Sequence, residues 1–203
     1  FHHNGKVISP NEVEVLYTFR EYKNWDFSTK PSYDWDFRNS INSEQVYDVI
    51  NGIAAVPFEG AYLDEEGMRM DGDNDYVLIN PLEFGGGPLT FEMYLKYESL
   101  NGTNGLNRLF DGRGEKNGFI YVNIDNSSGN KRIGTTVDYD VGNKYSINNV
   151  VETGEWMHLV IVYSGSSGTK IYKNGYLFDT ITSLTIYPER QIWSKFWLGA
   201  SYS

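Results

Sequence analysis

"GEWMHLVIVYSGSSGTKIYKNGYLF", residues 154–178, decides the fold. It reads as short β-strands joined by tight turns. In "WMHLVIVY" (156–163), Trp156, His158, Val160 and Val162 alternate with Met157, Leu159, Ile161 and Tyr163. Both faces are apolar, so the strand belongs in the middle of a sheet, covered twice. Further along, Asn174-Gly175 separates "KIYK" from "YLF". A type I′ hairpin turn needs positive φ at both central residues, which Gly adopts freely and Asn tolerates. The turn then fixes the register of the two strands. Trp156 and His158 share one face of their strand. Either His158 acts as a base, or the two rings form a packed pair within a β-sandwich. The second reading is preferred, because no Ser or Asp partner is identifiable and such residues are commonly buried in sheets.

The same strand signal recurs outward from this stretch. It is found at 13–19, 67–72, 76–79, 89–97, 107–112, 118–124, 131–139, 169–174, 175–180 and 195–201, each run bounded by Gly, Asn, Asp or Pro. Short, evenly spaced strands of this kind predict an antiparallel two-sheet sandwich or jelly roll. In "LTFEMYLKY" (89–97) one face is apolar and one polar. A brief helical turn is expected near 42–50.

Composition narrows the function. The chain has 203 residues, enough for one large β domain. Its formal charge is −10, and it holds no Lys/Arg run, which excludes nucleic acid and disfavours an anionic membrane surface. There is no Cys, so no disulfide scaffold, thiol nucleophile or thiolate zinc site is available. No stretch is apolar enough to insert in a membrane. The 16 Tyr favour sheets and surfaces that face sugars or partners.

Several segments, in order, resemble the laminin-G-like branch of the concanavalin A-like jelly rolls. These are "GMRMDGDNDYVLI" (67–79), "PLTFEMYLKY" (88–97), "RLFDGRGEKNGFIYVNI" (108–124), the Gly-x-Trp-x-His strand at 154–158, Tyr-x-Asn-Gly at 172–175 and "FWLGAS" (196–201). The resemblance implies an all-β, antiparallel jelly-roll sandwich over residues 13–203; because the sequence opens on Phe1 and not Met, residues 1–12 are expected to be a leader of a longer chain. It departs from the family in two places. An aromatic insert occupies 20–40, and the family's closing strand has no counterpart after "FWLGAS". The strand at 13–19 would then present an open edge, so the chain is expected to belong to a longer protein or an assembly.

Catalytic templates of the superfamily are missing. The glucanase strand carries Glu-x-Asp, and no Glu here has an Asp two residues later. The alginate-lyase Gln-Ile-His strand has a counterpart in "QIW" (191–193), with Trp193 in place of His. No catalytic residue is therefore assigned, and no enzyme activity is expected. "DGDNDY" (71–76) fails as an EF-hand, because its sixth position is Tyr76 rather than Gly; Asp side chains capping backbone N–H groups are the better reading. "GGGP" (85–88) and "DGRGEKNG" (111–118) are not followed by a helix, so they read as hairpin loops and not phosphate cradles.

Two candidate sites remain. The resemblance implies a calcium ion held by Asp side chains and carbonyls, for which Asp48 and Asp111, each in a Gly-adjacent loop, are the candidates. In the insert, "NWDF" and "DWDF" recur ten residues apart. Read as a hairpin, Trp25 with Phe27 and Trp35 with Phe37 each share a face. Such rings beside carboxylates suit sugars; the alternative is an arm packing its tryptophans onto the sandwich. The expectation is a non-catalytic recognition domain for a glycan or surface protein, outside the cell or on a cell or virion surface. A structural docking module of a larger assembly is the rival, and an unrecognised glycan-active enzyme the third.

Overall fold

The computed structural model describes residues 2–3, 6–7, 31–40, 44–71, 74–100, 106–114, 119–138 and 142–199. Among the described residues seventeen strands run in chain order: β1 (His2–His3), β2 (Lys6–Val7), β3 (Val46–Tyr47), β4 (Ala54–Phe58), β5 (Tyr62–Asp64), β6 (Gly67–Arg69), β7 (Tyr76–Ile79), β8 (Leu82–Phe84), β9 (Leu89–Lys96), β10 (Leu106–Gly114), β11 (Phe119–Asp125), β12 (Arg132–Thr136), β13 (Lys144–Tyr145), β14 (Trp156–Tyr163), β15 (Thr169–Lys173), β16 (Tyr176–Ile181) and β17 (Gln191–Leu198). β1 pairs with β2, and β5 with β6. The rest form two antiparallel sheets, a large one in the order β13-β12-β11-β10-β17-β7-β4-β3 with β8 also on β17, and a small one ordered β16-β15-β14-β9. None of the described helical segments is long and apolar enough to cross a membrane.

The sheets face each other across one apolar core. From the large sheet come Phe110, Ile120, Val122, Ile124, Trp193 and Phe196; from the small one, Leu159, Ile161, Tyr163 and Ile171, all nearly or wholly buried. Phe91 sits among the aromatics, with ring centroids 4.3 Å from Phe110 and 6.1 Å from Phe196. One polar link crosses the core. The Thr135 hydroxyl donates to the Tyr121 carbonyl at 2.8 Å, which leaves the Tyr163 hydroxyl to donate to Thr135 Oγ1 at 2.6 Å. Burial pushes the Tyr163 phenol's pKa far up, against the opposing hydrogen bond from Thr135. The phenol thus stays a donor at every ordinary pH.

The hairpin at Asn174-Gly175 is as expected: φ is 46° at Asn174 and 82° at Gly175, and Lys173 pairs with Tyr176. Asn174 does more than turn the chain. Its Oδ1 accepts from the His158 backbone N–H at 2.9 Å, and its own N–H donates to the His158 carbonyl at 2.8 Å. The side chain thereby extends the β14–β15 ladder by one rung beyond Leu159↔Lys173.

Four expectations are corrected. Among the described residues of 42–50 no helix forms; Val46 and Tyr47 pair with Ala55 and Ala54, after which the chain turns through one bond from the Gly52 N–H to the Asp48 carbonyl, and a short 3-10 segment lies at Phe37–Ser40. A β-branched residue beside an aromatic prefers the sheet. "DGRG" (111–114) is not a loop but the end of β10. The Trp156–His158 pair is not between the sheets. Met157, Leu159, Ile161 and Tyr163 fill the core, so the alternation sends Trp156 and His158 to the outer face of the small sheet. There Trp156 stacks on Tyr94 at 5.0 Å, and buried His158 meets Glu92 through Nε2 at 2.9 Å. Lastly, Trp35 and Phe37 lie on no hairpin strand, since residues 31–36 are irregular before the 3-10 turn. The strand expected at 13–19 lies outside the described residues. β17, for its part, sits inside the large sheet, flanked by β10 and β7.

Candidate functional site

β11 is buried along its whole length, on both faces. Ile120, Val122 and Ile124 point into the core. The other face carries Phe119, Tyr121, Asn123 and Asp125, which a strand covered once would leave in water. Register shows what lies beside them. Across to β10, Arg108 opposes Asn123, Asp111 opposes Tyr121 and Arg113 opposes Phe119. Across to β17, Trp197 opposes Asp111 and Lys195 opposes Arg113. On the far side, Thr136 opposes Tyr121, Gly134 opposes Asn123 and Arg132 opposes Asp125. One row therefore runs Thr136–Tyr121–Asp111–Trp197–Leu78–Val56 across six strands on the outer face of the large sheet.

Cations lie over aromatic rings along this face. Arg108 is centred 4.1 Å from the Tyr121 ring, Arg113 4.0 Å from Phe119, Arg132 4.0 Å from Tyr145 and Lys195 5.9 Å from Trp197. In each pair the charged head itself lies over the ring, and the stem behind it covers further apolar area. Two carboxylates sit among them. Asp111, wholly buried, lies 3.1 Å from Arg113 Nε, and Asp125 lies 2.8 Å from Arg132 Nε. Burial raises the Asp125 pKa, but Ser127 and Arg132 as hydrogen-bond donors outweigh it and hold the carboxyl below its usual range. Burial lowers the pKa of the Arg108 guanidinium, only partly offset by Asp111 and Tyr121. The same burial raises the Tyr121 phenol.

Asn123 and Arg108 are the unusual members. Asn123 is 1% exposed, and its Nδ2 has no hydrogen-bond acceptor among the described residues; nor has the buried Nη1 of Arg108. Buried polar groups are nearly always paired, so two orphaned donors on opposed residues call for a partner. Gly134 keeps the spot tight. A Cβ there would stand 2.9 Å from the Tyr145 ring and 3.2 Å from the Asn123 amide.

The residues singled out by sequence fall elsewhere, except Asp111. Trp25 and Phe27 lie outside the described residues. Trp35 and Phe37 are half-buried and packed against the core; Trp35 stacks on Tyr33 at 5.8 Å and donates its ring N–H to the Ile53 carbonyl at 2.9 Å. Asp48 is buried behind β3, where its oxygens accept from the backbone N–H groups of Asp34 and Asn51. Burial works against its charge, but backbone donors at Asp34, Asn51 and Ile50 prevail and hold its pKa down. A carboxylate filled by N–H donors fits a turn cap and not a calcium ligand, and Asp111 faces a guanidinium. Four strand steps separate the two, about 19 Å at the usual spacing of ~4.8 Å. Among the described residues no three His, Asp or Glu side chains gather as a metal site. In "DGDNDY", Asp75 caps the backbone N–H of Asp71 at 2.8 Å, as expected of a turn.

Two facing antiparallel sheets around an aromatic core, with polar and aromatic side chains across the outer face of the larger, define a sandwich of the lectin and glucanase kind. Residues 71–203 match the family model described as the concanavalin A-like lectin/glucanases superfamily, and the chain belongs to that family. No curated protein matches it. Among solved structures it is similar to "carbohydrate binding module CBM66 from Bacillus subtilis", at 16% identity and a TM-score of 0.41, over 70% of this chain and 88% of that one.

Proposed function

We propose that this domain binds glycan, without catalysis, on the outer face of the large sheet. The observation that carries the reading is the cross-strand row Tyr121–Asp111–Trp197 with Arg108, Arg113 and Lys195 around it. Sugar recognition needs aromatic faces for C–H groups and fixed polar groups for hydroxyls; half-buried Trp197 and exposed Lys195 are the members of this row that a sugar can meet, with buried Tyr121 and Asp111 supporting them from the neighbouring strands. The family includes binding modules and hydrolases alike, so the fold itself does not decide between them. The carboxylates favour binding. A glycosidase needs one carboxyl kept protonated as an acid. Here Asp125 is held ionised beside Arg132, and Asp111 sits against Arg113. A surface or extracellular setting suits such a module, and the insert aromatics Trp25, Phe27, Trp35 and Phe37 remain a candidate second contact.

A glycan array probed with the wild-type domain and with Trp197→Ala and Lys195→Ala tests the proposal. Binding by the wild type, lost or weakened at least tenfold in Trp197→Ala with melting preserved, supports it. Undiminished binding by both variants moves the site elsewhere. Release of reducing ends from any bound glycan would refute the non-catalytic part.

One observation favours docking as a second reading. β16 is an edge strand of the small sheet, and Tyr176 and Leu177 on it are 80% and 54% exposed. Sedimentation of the wild type against Tyr176→Lys tests whether that edge pairs with another chain.

A further inference from the structure

We infer that the ligand of this face is a neutral oligosaccharide chain of at least two units, and that the stacked pair Phe58–Tyr76, bordered by Glu59 and Asn74, is its second contact. The inference rests on the proposed glycan site at Trp197 and extends it along the sheet. Alternation places the pair. Val77 and Ile79 of β7 and Ala55 of β4 belong to the core. Tyr76 and Leu78, with Val56 and Phe58, therefore point to the outer face that carries Trp197. Phe58 and Tyr76 oppose each other across the β4–β7 pair, and their rings stack at 5.2 Å. Phe58 is 38% exposed, and Tyr76, Leu78, Val56 and Trp197 are each half-buried. The strip from Trp197 to Phe58 is thus accessible and aromatic at both ends, with Leu78 and Val56 as an uncharged floor between them.

Polar groups border the stack. Glu59 follows Phe58, and Asn74 comes two residues before Tyr76; both are exposed, and Asn74 Nδ2 donates to Glu59 Oε2 at 3.4 Å. Rings flanked by an exposed carboxylate and amide offer a sugar a surface for its C–H groups and partners for its hydroxyls. The Glu59 charge, on a chain of net charge −10, also disfavours an acidic unit at this end. Spacing sets the length of the ligand. Leu78 opposes Trp197, and Tyr76 lies two residues along β7 from Leu78. Tyr76 is therefore the diagonal neighbour of Trp197, at about 7–8 Å. Phe58 is one strand further, about 12 Å from Trp197 at a strand spacing of ~4.8 Å and a rise of ~3.4 Å per residue. Stacked rings lie roughly 4.5–7 Å apart. One sugar resting on Trp197 cannot also rest on Phe58, whereas two or more joined units reach both.

The test is calorimetric titration of the full 203-residue chain with cello- and laminari-oligosaccharides of one to six units, and with the same ladder cut from any other neutral glycan that the array scores positive. In at least one ladder, affinity is expected to rise tenfold or more from the monosaccharide to the trisaccharide and then to level off. Phe58→Ala should bring the trisaccharide down to the affinity of the monosaccharide. Glu59→Gly supplies a second variant that keeps the fold, because Gly adopts the φ of 59° found at this position freely; it should weaken the trisaccharide at least threefold without lowering Tm. Ladders that bind with no gain in affinity with length overturn the inference and leave the glycan site at Trp197 standing. A gain that survives both variants also overturns it. Failure of every oligosaccharide at every length removes the inference and the glycan reading together.

Discussion

Asn174 gives the sharpest test of how the hairpin is held. Replacing it with Ala has two separable costs. A residue with a Cβ at φ 46° loses roughly 1–2 kcal/mol relative to one that tolerates the left-handed region. The His158 N–H loses its acceptor; an orphaned donor costs about 1–3 kcal/mol, toward the lower end where water can enter the place vacated by an exposed side chain such as Asn174. Asn174→Ala should therefore cost about 2–5 kcal/mol. Asn174→Gly removes the backbone penalty but not the missing acceptor, so about 1–3 kcal/mol should remain. Asn174→Asp keeps both the acceptor and the tolerance for positive φ and should fall within about 0.5 kcal/mol of wild type. For a chain of this length each kcal/mol is worth roughly 2–4 °C in Tm. Urea unfolding with an unchanged m-value, alongside thermal melts, reads the series. The order Asp, Gly, Ala from mildest to harshest is required. If Gly proves as mild as Asp, the side-chain rung contributes nothing and the argument is wrong.

Other expectations concern the core, the acid limb and metal. Thr135→Val strands the buried Tyr163 hydroxyl and should cost about 1–3 kcal/mol, whereas Tyr163→Phe leaves Thr135 bonded to Tyr121 and should cost about 1 kcal/mol; the reverse order in chemical denaturation would contradict the link. Asp48 and Asp125 have folded pKa values below their unfolded ones. Their contribution is thus complete above the ordinary carboxylate pKa of about 3.9 and is lost as pH falls through their lower folded values. Asp48→Asn and Asp125→Asn should each flatten the acid limb of a stability–pH curve, and limbs parallel to wild type would refute the assignment. Because N–H donors fill Asp48 and Arg113 faces Asp111, melting curves with and without EDTA should superimpose; a fall in Tm on chelation, reversed by calcium, would show a site those hydrogen bonds do not describe.

The small sheet was largely legible because its signals are local. β14 and the β15–β16 hairpin are written in a period of two and an Asn-Gly turn, all within 26 residues, 156–181. β4 was hidden by Pro57, which argues against a strand. β3 runs only beside Ala54 and Ala55, so no neighbour on that side asks for the missing N–H at 57. β3 and β13, two residues each, are too short for any periodicity to register.

The candidate site was legible in fragments only. Asp111 was noticed for its oxygen and not for its face. The row exists because β10 pairs with β17, and Asp111 meets Trp197 across 86 positions of sequence. No local pattern encodes that register. A signal was nevertheless present. "FIYVNID" alternates Ile120, Val122 and Ile124 with Tyr121, Asn123 and Asp125, and a strand whose second face bears Tyr, Asn and Asp in the middle of a sheet asks what those groups meet.

The central claim is that sugar is held on the outer face of the large sheet, and indole NMR reads it directly. The chain has five tryptophans, at 25, 35, 156, 193 and 197, which sample the insert, the outer face of the small sheet, the core and the candidate site. With ¹⁵N-labelled Trp and signals assigned by single Trp→Phe variants, titration with an array-positive glycan should shift the Trp197 indole while Trp193 and Trp156 stay in place. Movement confined to Trp156, or to Trp25 and Trp35, with Trp197 unmoved at saturation would contradict the account.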